Sequence, residues 1–157
     1  MKLVPVYAFM ASKLQAIEGL KATTWFNGQD EEKIPASPVV MIQFPEPVPL
    51  ESLARNQQKG PIRIRVTVFT KLITGQSGNI EPERMNLHED ITDQVYAKLH
   101  GYGSQEAGIN SLERIRIHLD MRKPGWAKTH QDFTCEITSP GIPNTTPNTQ
   151  PTPQLYT

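Results

Sequence analysis

The chain has 157 residues, a formal net charge of zero, 37% hydrophobic residues and one cysteine. That length fits one domain and would cramp two. The neutral balance argues against a global positive field for nucleic acid, the single Cys135 excludes an internal disulfide, and no CxxC or CxxH spacing offers a zinc site.

The opening segment, VYAFMASKLQAIEGL, predicts a helix over residues 5–19. Tyr7, Met10, Leu14 and Ile17 recur at helical spacing. Pro5 suits the first turn and Gly19 the stop. Ser12, Lys13, Gln15 and Glu18 interrupt the apolar run, so it reads neither as a signal peptide nor as a membrane span. A soluble, intracellularly made protein is expected.

Residues 22–29, ATTWFNGQ, favour a strand ending in an Asn-Gly turn. The charged QDEEK, residues 29–33, reads as loop. PVVMIQF, residues 38–44, is a β-branched run bounded by prolines, as a buried strand would be. Residues 45–61 hold four prolines and a polar middle. They read as a long connection with one helical turn near 50–55.

Residues 62–73 form the clearest strand. Ile62, Ile64, Val66 and Val68 share one face; Arg63, Arg65, Thr67, Phe69 and Lys71 share the other. After a Gly/Ser/Asn loop, NLHEDITDQVYAKLHG predicts a second helix. Asn86 and Glu89 have capping-box spacing, and Leu87, Ile91, Val95 and Leu99 make the buried stripe. Two strands follow. In LERIRIHLDM, alternation places Ile115, Ile117 and Leu119 on one face and Arg114, Arg116 and His118 on the other. The last, residues 128–137, points Phe133, Cys135 and Ile137 inward.

The expected order is α-β-β-β-α-β-β: an α+β domain over residues 1–137, with about five strands in a mainly antiparallel sheet and two helices packed on it. Residues 138–157 hold five prolines, six threonines and no charge, which reads as an extended arm unable to fold alone.

Nothing in the chain carries a catalytic signature. His118 and Asp120 share a strand face without a nucleophile beside them. Cys135 could act as a thiol nucleophile with a histidine such as His130, but it alternates with Phe133 and Ile137, as a small core residue does. GYGSQEAG, residues 101–108, follows a helix rather than a strand, the wrong context for a dinucleotide. The arginine strands leave three readings open. They can be the solvated face of a sheet, a protein interface in which planar guanidinium groups meet carboxylates, or a nucleic-acid-binding module in which Phe69 supplies a stacking surface.

The element order and the character of VYAFMASKLQAIEGL, TTWFNG, PVVMIQF, IRIRVTVFTK, DITDQVYAKLHG and LERIRIHLDM resemble the tail-completion or tail-terminator proteins of long-tailed bacteriophages, the lambda-like minor tail protein group. The resemblance covers residues 5–137. The proline-rich 45–61 stretch and the C-terminal arm depart from it. It implies a structural virion protein without a catalytic site or cofactor. Such a protein forms a hexameric ring at the tail or neck, ends the tail tube and joins it to head-connector proteins, with no membrane or specific nucleic acid as partner. A ring closes through a heterologous interface, and the alternating Ile/Arg strands would turn their apolar faces, Ile115, Ile117 and Leu119 included, to the domain's own core and their charged faces to neighbours or the ring lumen. The implied interface residues are Arg63, Arg65, Lys71, Arg114 and Arg116 on one side, and Glu31, Glu32, Glu51, Glu89 and Asp90 on the other.

Overall fold

Two fourteen-residue strands form the spine of a computed structural model that describes residues 2–26, 28, 37–53, 57–73 and 78–139. In chain order the elements are α1 (Val4–Leu14), β1 (Ala22–Trp25), β2 (Val39–Gln43), β3 (Glu51–Ser52), β4 (Gln58–Lys71), α2 (Pro82–Leu99), β5 (Glu113–Asp120) and β6 (Trp126–Ser139). β4 and β6 pair antiparallel along their whole length, from Gln58↔Ser139 to Lys71↔Trp126. The sheet order is β1-β2-β4-β6-β5, and the short β3 also pairs with β4.

The α+β class is as the sequence predicts, with six strands rather than about five. One pairing differs. β1 and β2 run parallel, whereas consecutive antiparallel neighbours were expected. A parallel neighbour needs a connection of about a dozen residues or more. Thirteen residues separate Trp25 from Val39, enough to return the chain to the same end of the sheet.

The face of the sheet carrying Ile62, Ile64, Val66 and Val68 on β4, and Phe133, Cys135 and Ile137 on β6, is covered by both helices. α1 contributes Val6, Met10 and Leu14, followed by Ile17; α2 contributes Ile91, Val95 and Leu99. These side chains are almost completely buried, and full burial of an aliphatic or aromatic side chain contributes about 1.5–3 kcal/mol.

Several local expectations shift. α1 ends at Leu14 rather than near Gly19, because the chain tightens into turns in which Ile17 N–H donates to Leu14 C=O and Leu20 N–H to Ile17 C=O. α2 begins a turn earlier than Asn86: Pro82 occupies the first turn, so the Asn86–Glu89 spacing lies inside the helix and caps nothing. Glu51 and Ser52 are extended and pair with Lys59 and Gln58, where a helical turn was expected; residues 54–56 of that segment lie outside the described residues. β6 runs two residues past the expected domain boundary, to Ser139. The arm from 140 to 157 and the 29–33 loop also lie outside the described residues.

The largest correction concerns β5. Ile115, Ile117 and Leu119 do not enter the core; they are 49%, 51% and 46% exposed, and Met121 beyond them is 42% exposed. β5 is the outermost strand beyond β6, and α2 packs chiefly on β4 and β6, touching β5 at Arg114.

Candidate assembly surface

A β-bulge decides which β5 side chains reach which face. Arg114 pairs with Phe133 and Arg116 with Asp132, so the register slips at Ile115. Arg114 therefore joins the helix side. Its Nη1 donates to Gln131 Oε1 at 3.0 Å, and its guanidinium lies 4.0 Å from the Tyr96 ring centre. Gln131 is fully buried and donates to Thr92 C=O on α2 at 3.0 Å. Next to it, buried His88 bridges two hydroxyls, with Nδ1 2.8 Å from Thr70 Oγ1 and Nε2 2.7 Å from Thr129 Oγ1. Burial lowers the His88 pKa to about 4, so the ring is neutral at pH 7.

Arg116 and His118 project to the opposite face, away from α1 and α2, where they meet the polar row of β4 and β6. Arg65 grips Asp132 with two donors, Nε to Oδ1 at 2.9 Å and Nη2 to Oδ2 at 3.3 Å. Arg63 donates to Glu46 at 2.6 Å, and its Nε sits 3.9 Å from Asp132 Oδ2. Burial pushes the Asp132 pKa up, but the Arg65 hydrogen bonds and the charges of Arg65, Arg63 and Arg116 outweigh it and hold the carboxyl below its ordinary value. Arg122 binds Asp120 through Nε at 3.0 Å and Nη2 at 2.7 Å, which keeps that carboxyl well below the usual range. His130 hydrogen-bonds Thr67 Oγ1 at 2.8 Å, and its ring lies parallel to that of His118 at 6.3 Å. Burial, then the charges of Arg65 and Lys128, lowers the His130 pKa. Arg65, Arg116, His118, Asp120, Arg122, His130 and Asp132 enclose a shallow hollow of about 200 Å³.

Both carboxylates in the hollow are already held by arginines. Arg116 is exposed and makes no hydrogen bond or ion pair with any described residue. The hollow thus presents one uncommitted guanidinium within a net positive surround, which suits a carboxylate or another oxyanion.

The remaining sequence-derived candidates are dispersed. β6 separates β4 from β5, so the two arginine strands are not adjacent. Lys71 is exposed at the end of β4, and Glu51 is exposed on β3. Glu89 and Asp90 lie on the solvent face of α2, and Glu31 and Glu32 lie outside the described residues. Phe69 is fully buried with Trp126 stacked on it at 4.3 Å, so it offers no exposed ring. His118 lies parallel to His130 and lines the same hollow as Asp120, whose carboxylate is held by Arg122. Cys135 lies on the helix side of the sheet, away from His130. Asp132 and Arg122 were not singled out from the sequence, and His130 was considered there only as a partner for a Cys135 thiol. Asp132 was within reach of it, since pairing residues 62–71 with 126–135 sets Arg65 opposite Asp132. Among the described residues, no three His, Cys, Asp or Glu side chains gather as a metal site would need, and no helix is long and apolar enough to cross a membrane.

No protein-family model and no curated protein matches the chain. Among solved structures, its fold matches a chain from the virion of a native gene transfer agent (GTA) particle, with a TM-score of 0.59 and 15% identical residues. The match covers 85% of this chain and 95% of the other. The two chains share a fold. That the likeness spans nearly the whole virion chain means the complete α+β unit is held in common, rather than one motif within it.

Proposed function

We propose that the protein is a structural subunit of a tailed phage-like particle, assembling as a ring at the tail or neck, ending the tail tube and joining it to the head connector. The observation that carries this reading is the fold shared with a chain of the GTA virion over almost that chain's full length. It agrees with the tail-terminator resemblance of the element order. The surface supports it as well. An outer strand that exposes Ile115, Ile117 and Leu119 in a row, with Met121 after it, is an aggregation liability for a monomer and a contact surface for a subunit.

A nucleic-acid module has less support. Arg63 and Arg65 are paired with carboxylates, Arg114 is packed on Tyr96, and Phe69 is buried.

The test is the mass of the purified protein by light scattering, with negative-stain images of the same fraction and of tail tubes mixed with it. Rings of about six subunits, free or at tube ends, are expected. A protein that stays monomeric at high concentration and leaves tube ends bare overturns the proposal.

A further inference from the structure

We infer that the hollow around Arg116 receives the acidic face of α2 from a second copy of this chain, with Arg116 pairing with Glu89, Asp90 or Asp93 of that copy. This contact rests on the ring reading above and specifies which surfaces meet.

Charge complementarity within one neutral chain is the first support. The chain has sixteen basic and sixteen acidic residues, and two of its surfaces hold exposed charge of one sign that no ion pair engages. Glu89, Asp90 and Asp93 are exposed on α2 and make no ion pair with any described residue. They span just over one helical turn, about 6 Å along the axis, and so form one compact acidic patch. The hollow holds Arg65, Arg116 and Arg122 against Asp120 and Asp132, so one positive charge is left over there, and Arg116 is the guanidinium that no hydrogen bond or ion pair with a described residue engages.

Topology supplies the second support. α2 packs on the Thr129 and Gln131 side of the sheet, while Arg116 lies with Asp132 on the other. The acidic patch and its receptor therefore face opposite ways on one subunit. A copy that docks its helix into a neighbour's hollow still presents its own hollow on the far side. This is a heterologous, front-to-back contact, which repeats until it closes into a ring or extends as a filament.

The experiment compares four proteins: wild type, Arg116→Glu, the triple reversal Glu89→Lys/Asp90→Lys/Asp93→Lys, and a chain carrying all four changes. Circular dichroism and thermal unfolding check that each folds; sedimentation velocity reads association. Both reversals are expected to raise the concentration needed for assembly at least tenfold, and the combined chain to recover it, because each interface then sets a carboxylate in the hollow against lysines on the helix. Rings that form equally well in either reversal overturn the pairing and leave the ring reading standing. Loss of assembly without recovery in the folded combined chain overturns it too. A wild type that associates neither alone nor on added tail tubes overturns the ring reading and the pairing together; if rings form only on tubes, the four proteins are compared there.

Discussion

Arg114 and Arg116 are two residues apart on one strand yet stand on opposite sides of the sheet. Strand alternation would put them together; the extra residue at Ile115 parts them. One becomes a structural arginine packed on Tyr96 and Gln131, and the other is left facing solvent.

Their stability effects should part in the same way. Arg114→Ala removes a cation–π contact and a hydrogen bond to buried Gln131, and should cost about 1–2 kcal/mol. Arg116→Ala should stay within about 0.5 kcal/mol, as exposed substitutions usually do. Urea titration of both variants gives the comparison; equal losses would mean that Arg116 is tied down in the monomer.

Asp132→Asn should lower stability by about 2–3 kcal/mol, because Arg65 loses its charged partner and Arg63 a nearby anion. The folded Asp132 pKa lies below its ordinary value, so this stabilisation is complete above the unfolded pKa and is lost as pH falls through the folded one. Acid unfolding of the variant should show a shallower dependence below about pH 4 than the parent.

His88 predicts a separate acid effect. Its folded pKa of about 4 lies below the unfolded value of about 6.5, so the unfolded chain binds the extra proton first. Stability contributed by neutral His88 is whole above about pH 6.5 and falls by roughly 3 kcal/mol as pH drops toward 4. His88→Gln, which can still bond both threonines, should flatten denaturant midpoints across that window. An unchanged slope would assign the effect to other groups.

Cys135 should be inert. It is 6% exposed, and burial pushes its thiol pKa up to about 12. An aromatic disulfide reagent should label it slowly in the folded protein and promptly in denaturant. Fast labelling of native protein would show that the helix layer opens easily.

Ile117→Lys should leave monomer stability within about 0.5 kcal/mol, since half of the side chain is already in water. Its effect should fall on association, read by sedimentation. A large loss of stability with unchanged association would place Ile117 in the monomer's own packing.

Much of the fold was legible from residue order. Ile62, Ile64, Val66 and Val68 announced a buried strand face, and Ile91, Val95 and Leu99 a helix stripe, because their spacing matches the period of one element. The candidate surface was only partly legible. The bulge at Ile115 leaves no mark in the alternation of LERIRIHLDM, so the sequence grouped Arg114 with Arg116; Ile117 and Leu119, opposite Gln131 and Thr129 on the helix side, are exposed because their strand is the outermost one. Whether a strand is central or outermost depends on sheet order, and sheet order depends on pairings between distant segments. The parallel β1–β2 pair escaped for a similar reason: local residues set strand propensity, while direction follows from the length of the connection.

The spine formed by β4 and β6 also bears on how the subunit is made. Its paired residues are separated in sequence by 55 positions at Lys71↔Trp126 and by 81 at Gln58↔Ser139. Loop closure over such distances precedes most of the contacts that reward it, which places folding among the slower, millisecond-to-second cases. During synthesis β4 emerges well before β6, and its apolar row must wait through the whole of α2 and β5 for its partner. Subunit supply, and with it the timing of any assembly, would then be governed by the arrival of the last strand.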